Sequence, residues 1–171
     1  MRTSRQPIRS LDRLDRKILG VLQADGRISM KDLAEAVGLT ITPCIERVKR
    51  LERDGVIMGY YARLNPALLG SALLVFVEIS LNNKSGNMFE QFRREVLRIP
   101  EVLECHLVSG DFDYLIKARI REIGEYRRLL GDILLQLPGA AQSKSYVVME
   151  EIKETLAIAV DARESGVSGT T

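Results

Sequence analysis

The sequence predicts an α+β chain of two domains, and three observations predict it. The first is a change of rhythm: apolar residues recur at helical spacing up to about residue 65, and strand-like apolar runs take over from Ser71. The second is a pair of short amphipathic segments broken at Val37-Gly38-Leu39. The third is charge. Residues 1–66 hold 13 Lys+Arg against 8 Asp+Glu, a net of +5, whereas residues 67–171 hold 12 against 15, a net of −3. A basic front half joined to a mildly acidic back half fits an anion-binding module attached to something else. The expected divisions are a flexible basic tail at 1–10, a winged helix-turn-helix at 11–65, a second domain at 66–160 and a flexible tail at 161–171.

After the polar tail MRTSRQPIRS a helix starts at Asp12, with Asp15 setting negative charge against the helix dipole. Leu11, Leu14, Ile18, Val21 and Leu22 keep helical spacing until Asp25-Gly26. Ser29 caps a second helix with Asp32 at the capping-box spacing, and Gly38 closes it, because glycine enters the left-handed conformation at little cost. The third helix begins at Thr40 or Thr42, since Pro43 is tolerable only in a first turn. One of its faces carries Ile41, Cys44, Ile45, Val48 and Leu51. The other carries Thr42, Pro43, Glu46, Arg50 and Arg53, flanked by Arg47 and Lys49.

A basic helix face is ordinarily just solvated surface. Here a short glycine-closed helix precedes it, its first turn is small and polar, and its cations lie further along. That order suits a recognition helix, whose first turn meets base edges while Arg and Lys meet phosphates. The expected DNA-binding residues are Thr40, Thr42, Pro43, Glu46, Arg47, Lys49, Arg50 and Arg53. Thr42, Pro43, Glu46 and Arg47 are assigned to bases, and Arg50 and Arg53 to phosphates. The following VIMGYYARLNP reads as the strand of a wing.

In the second domain Ser71 to Leu81 reads as a strand. Leu73, Val75, Val77, Ile79 and Leu81 lie on one face, and Ala72, Leu74, Phe76, Glu78 and Ser80 on the other. Helices of the same domain cannot cover both, so a second subunit is expected over Leu74 and Phe76. Asn87, with Glu90, is expected to cap a helix that buries Phe89, Phe92, Val96 and Ile99. Strands follow at 102–109 and 113–120; with Asp111-Phe112 as the loop they pair Glu104 with Arg119 and His106 with Lys117. A second amphipathic helix runs from Ile123 through Tyr126, Leu129, Leu130, Ile133 and Leu134 to Leu137. A strand at 143–149, beside one of the hairpin strands, and a further one at 152–158 complete the set. The order is that of a ferredoxin-like βαββαβ sandwich.

No catalytic constellation is present. His106 is the single histidine, Cys44 and Cys105 sit in apolar patterns, and neither a zinc cluster nor a phosphate-binding glycine loop can be built. No apolar run spans a bilayer and no signal-like segment opens the chain, so a reduced, cytoplasmic protein is expected. The stretch VSGDFDYLIK admits two readings. A hairpin turn already favours Gly110 and Asp111. Acid on both sides of Phe112 would also attract an ammonium while N–H groups near Gly110 meet a carboxylate, which makes an amino-acid pocket.

Taken in order, LDRLDRKILGVLQADGR, LAEAVGLTITPCIERVKRLERDGVI, LNPALLG, LLVFVEI, ECHLVSGDFDYLIK, YRRLLG, LPG and YVVMEEIK resemble the Lrp/AsnC (feast/famine) family of bacterial regulators, over about Leu11 to Lys153. The resemblance implies a winged-helix DNA-binding domain and a ligand-sensing sandwich that dimerises and assembles into octamers. It also implies an amino-acid effector, leucine foremost, held between subunits near Gly110 to Tyr114. The expected effector residues are Leu107, Ser109, Gly110, Asp111, Asp113 and Tyr114, with Tyr146, Val148 and Met149 as apolar wall. The expected partners are double-stranded DNA, that effector and further copies of the chain, with no other cofactor, no metal, no membrane and no enzymatic activity. Ile41 stands where the family pattern has a proline, which bears on base preference. Two competing readings are an amino-acid-metabolising enzyme with a regulatory sandwich, and an architectural DNA compactor with a ligand-blind second domain.

Overall fold

Helix α1 (Arg13–Ala24) starts where Asp12 closes a full capping box: Asp12 Oδ1 accepts the Asp15 N–H, and Asp15 Oδ2 accepts the Asp12 N–H. These features come from a computed structural model that describes residues 10–160; apart from Ser10, the expected tails lie outside those residues. Helix α2 (Met30–Val37) is capped by Ser29, whose Oγ accepts the Asp32 N–H at 3.1 Å and donates to the Asp32 carboxylate at 2.6 Å. Gly38 then turns left-handed, at φ 76°, and leads into α3 (Ile41–Arg53). Pro43 sits in the first turn of α3, where its missing N–H would have had no intrahelical acceptor. Ile18, Leu33, Cys44 and Leu51 meet in the core of this unit, each at most 1 % exposed. Ile41, expected on the same face, is 47 % exposed at the open end of the helix.

Gly38 offers a simple test of the turn. A Cβ added there meets no heavy atom within 4 Å, so the cost of Gly38→Ala is conformational alone. Denaturant unfolding of this variant is expected to show a loss of about 1 kcal/mol.

The wing strand expected in VIMGYYARLNP does not form within the chain. The N–H groups of Val56 and Ile57 both return to Leu51 O, and residues 58–65 are irregular. A strand needs an edge to pair with, and the described residues supply none here.

The second unit, Leu64–Glu154, is built on β1 (Leu73–Leu81), α4 (Gly86–Val96), β2 (Val102–Leu107), β3 (Tyr114–Ile120), α5 (Ile123–Arg128) and β4 (Ala140–Val147). The described residues from Thr155 on group instead with the first unit, where Ile158 exchanges two hydrogen bonds with the Gln23 side chain. The strand expected at 152–158 is absent. The sheet is antiparallel, in the order β2-β3-β1-β4, which is the ferredoxin-like arrangement. Val75, Val77, Ile79, Ile116 and Ala118 are all fully buried on its helix-covered face. Phe92 stacks on Tyr114 with ring centroids 3.9 Å apart.

Three local expectations are corrected. Helix α4 is capped by Ser85, whose Oγ accepts the Met88 N–H, rather than by Asn87. The helix from Ile123 does not stay α: it widens to a π turn over Leu129–Ile133 and tightens to a 3-10 turn over Leu134–Gln136. Leu129, Leu134 and Leu137 are buried along this stretch and join the core of the second unit. Finally, the hairpin pairs Leu107 with Tyr114 and Glu104 with Lys117, because Val108 N–H still bonds Asp113 O and the loop is Ser109–Phe112. That shifts the expected register by two residues.

Candidate functional site

Helix α3 turns Cys44, Val48 and Leu51 into the core and leaves Thr40, Thr42, Glu46, Lys49 and Arg53 exposed. Pro43, Glu46, Arg47, Lys49, Arg50 and Arg53 line an open concavity of ≈ 550 Å³. Lys49 and Arg53 are the exposed cations of the set, and Arg53 Nε lies 3.6 Å from its neighbour Asp54. Arg47 and Arg50 differ from the expectation of uncommitted cations. Arg47 Nη1 donates to Asp12 Oδ2 at 2.6 Å and to Asp15 Oδ1 at 2.8 Å, and Arg50 Nη2 donates to the same Asp15 oxygen at 2.5 Å. Burial pushes the Asp12 carboxyl up, but the Asp15 N–H and Arg47 outweigh it and hold it below its ordinary value. Arg47 is correspondingly raised, chiefly by its hydrogen bond to Asp12. A helical wheel of α3 carries no information about carboxylates on α1, so these partners were missed; Asp12 and Asp15 showed only as capping residues.

On the second unit the expected effector residues separate into groups. Tyr114 belongs to the core, 6 % exposed against Phe92 and Phe89. Asp113 is also buried and already occupied: Oδ2 accepts the Leu81 N–H at 2.8 Å and Oδ1 pairs with Lys84 Nζ at 2.9 Å. Burial raises its pKa, and these two partners more than reverse that, leaving it below the usual carboxylate value. Asp111 is exposed at the hairpin tip. With Glu78, Ser80, Phe112, Gln142, Ser143 and Lys144 it lines a hollow of ≈ 210 Å³. Two carboxylates and an ammonium thus line one hollow, with Glu78 and Lys144 directly opposite each other across β1 and β4.

Tyr146, Val148 and Met149 are not beside the hairpin strands, as expected, because β4 pairs with β1. Asp113 N–H bonds Ile79 O, whereas Tyr146 lies opposite Phe76 and Val148 N–H bonds Leu74 O. The five residues from Ile79 to Leu74 put Val148 about 17 Å from Asp113 along β1 at the usual strand rise, whereas the Tyr146 hydroxyl donates at 2.9 Å to Glu78 Oε1, on a residue that lines the hollow with Asp111. One chain thus brings Tyr146 to the border of the Asp111 hollow and leaves Val148 away from it.

The face of the sheet away from the helices is highly charged. Lys117 bonds Glu104 and Glu154, and Arg119 makes a two-pronged pair with Glu151 at 2.6 and 2.9 Å. Next to them Leu74 is 6 % exposed, so the chain itself covers the residue expected to await a second subunit, while Phe76 stays half-buried.

Residues 11–58 match the winged helix-turn-helix DNA-binding family and residues 74–158 the Lrp/AsnC ligand binding domain. A DNA-reading module joined to a ligand-binding one defines a ligand-responsive transcription regulator. The chain is 53% identical over 161 residues to the leucine-responsive regulatory proteins of Salmonella typhimurium and Escherichia coli, covering 94% of this chain and 98% of each relative. Among solved structures it resembles a transcriptional regulator of Neisseria meningitidis in complex with L-Met. That match has 35% identity and a TM-score of 0.84, and covers 89% of this chain and 98% of the other. An AsnC family regulator from Agrobacterium tumefaciens matches at 36% identity and a TM-score of 0.82, over 86% and 96% of the two chains. The chain belongs to the Lrp/AsnC family of transcription regulators.

Proposed function

We propose that this regulator senses a small apolar amino acid, leucine foremost, and that occupancy alters its assembly or its affinity for operator DNA. The observation that carries the proposal is the division of the effector residues. Asp111 and its charged neighbours lie toward one end of β1, with Tyr146 touching them through Glu78, and Val148 lies toward the other end. A pocket using both needs a second copy, so sensing and assembly are one event. Large apolar residues left exposed support such assembly: Met58 and Tyr61 in the first unit, and Leu68, Met149 and Ile152 in the second, are each more than 80 % exposed. The working unit is a dimer that builds to an octamer. It acts in the cytoplasm, needs no cofactor beyond the effector and performs no catalysis; among the described residues no helix is long and apolar enough to cross a membrane.

Leucine is preferred to methionine because the leucine-responsive relatives are 53% identical, while the regulator solved with L-Met is 35% identical. Calorimetry with the twenty amino acids, paired with sedimentation, tests the proposal. Leucine is expected to bind and to change the oligomer size. Binding of methionine alone would change the assigned effector, and binding of none would leave the compactor reading in its stead.

DNA contact is assigned to Thr40, Thr42, Pro43, Glu46 and Arg47 in the first half of α3 and to Lys49, Arg50 and Arg53 further along. Affinity should fall steeply with salt, because phosphate neutralisation releases counterions. Lys49→Ala and Arg53→Ala should each flatten the slope by about 1 and weaken all sequences alike. Gel-shift titrations at several salt concentrations provide the check; a slope unchanged in both variants would remove α3 from the phosphate backbone.

A further inference from the structure

We infer that Asp15 is a positioning residue for DNA reading, holding Arg47 and Arg50 in fixed places on the recognition helix, and that Asp12 is the partner which DNA displaces. The inference rests on α3 facing DNA. Its geometric basis is the unequal burial of two carboxylates around the same guanidinium. The Asp15 side chain is 2 % exposed and accepts from both Arg47 and Arg50 through Oδ1. The Asp12 side chain is 48 % exposed and meets Arg47 through Oδ2 alone.

Asp12 also divides its work between its two oxygens. Oδ1 caps α1 by accepting the Asp15 N–H, so Oδ2 can release Arg47 without opening the helix. An exposed ion pair contributes little and is readily exchanged for another anion, whereas a buried carboxylate shared by two guanidiniums is not. Arg47 uses Nη1 for both carboxylates, and Arg50 uses Nη2. A guanidinium carries five N–H donors, so each retains a free edge, and their side chains are 24 % and 26 % exposed.

Two further consequences follow for specificity. A guanidinium held on one edge offers its other edge in a defined direction, which is what two-pronged recognition of a base demands. The two carboxylates also offset two cations, which leaves Lys49 and Arg53, the latter 3.6 Å from Asp54, as the exposed positive groups of this face. Indiscriminate attraction to phosphate is thereby held down.

The test uses the full-length protein with two probes: a duplex enriched from a random pool by the wild type, and a shuffled duplex of equal length. Asp15→Asn is expected to tighten binding to the shuffled duplex, with the salt slope steeper by about 0.9 for each phosphate newly met. The preference for the enriched duplex should fall by about tenfold, within the range that one good base contact commands. Asp12→Asn keeps the cap, since asparagine caps as well as aspartate. It should tighten both duplexes alike and preserve the preference. Thermal unfolding of both variants separates these effects from loss of fold. Equal weakening on both duplexes by Asp15→Asn would overturn the inference, as would a loss of preference in Asp12→Asn while Asp15→Asn keeps it. If Lys49→Ala and Arg53→Ala leave binding unaltered, the orientation of α3 fails instead.

Discussion

Phe76→Arg is expected to leave the protein monomeric, with the dissociation constant of the dimer raised by about a hundredfold or more. Phe76 sits on β1 opposite Lys117 of β3 and Tyr146 of β4, on the face turned away from the helices. Its neighbours Val75 and Val77 point the other way and are fully buried, so the substitution leaves the core of the unit untouched. Leu74 was expected to share the interface but is covered by its own chain, which makes Phe76 and the 41 % exposed Tyr146 the apolar features of this face. Arginine there would bring an unpaired charge into a dry contact, and a buried charge without a partner is strongly unfavourable. Cooperation between half-sites about one helical turn apart, roughly 34 Å, should vanish with the dimer, since it needs two recognition helices joined at fixed spacing. Sedimentation that shows an unaltered oligomer would move the interface to another surface.

The ends of α1 and α2 were legible in the sequence; the cap of α4, the hairpin register and the contacts between elements distant along the chain were not. Asp12, Ser29 and Gly38 act within one helical turn, and the structure uses each at the expected end of its helix. The order of strands and helices was likewise readable from periodicity. The hairpin register was not, because Val108–Asp113 pairing lengthens the loop and shifts every partner. The place of β4 beside β1 is a matter of topology, and it set Tyr146 and Val148 along β1 rather than along the hairpin strands. Tyr114 looked like pocket lining beside two acids, yet its ring stacks on Phe92 from a helix more than twenty residues away in sequence. Arg47 and Arg50 show the same limit on the DNA side. Their charge was evident and their carboxylate partners on α1 were not.

Asp113→Ala is expected to destabilise the second unit and to abolish the response to leucine, while DNA binding persists. Asp113 fastens the hairpin to the end of β1 by three bonds. Its N–H donates to Ile79 O at 2.9 Å, Oδ2 accepts the Leu81 N–H at 2.8 Å, and Oδ1 meets Lys84 at 2.9 Å. Alanine keeps the first and removes the others. The Leu81 N–H is then left in a buried site without its acceptor, a loss of about 1–3 kcal/mol. The expected route is that Asp113 holds the tip that carries Asp111, since its own carboxylate is already taken by the Leu81 N–H and Lys84. Asp111→Ala makes the contrast: exposed at the tip, it should leave unfolding unchanged and still weaken leucine binding. The pH dependence has a definite sign. Because the folded carboxyl lies below its ordinary value, the stability it contributes is complete above the unfolded value of about 3.9 and is lost as pH falls through the lower folded one. Asp113→Asn should remove that acid-limb component, leaving the rest of the pH profile in place. Unfolding curves across the acid range, with leucine titrations of Asp111→Ala and Asp113→Ala, measure all of this. A wild-type leucine response in both alanine variants would place the pocket away from the hairpin, and equal acid sensitivity in Asp113→Asn and wild type would deny Asp113 its part in holding the sheet.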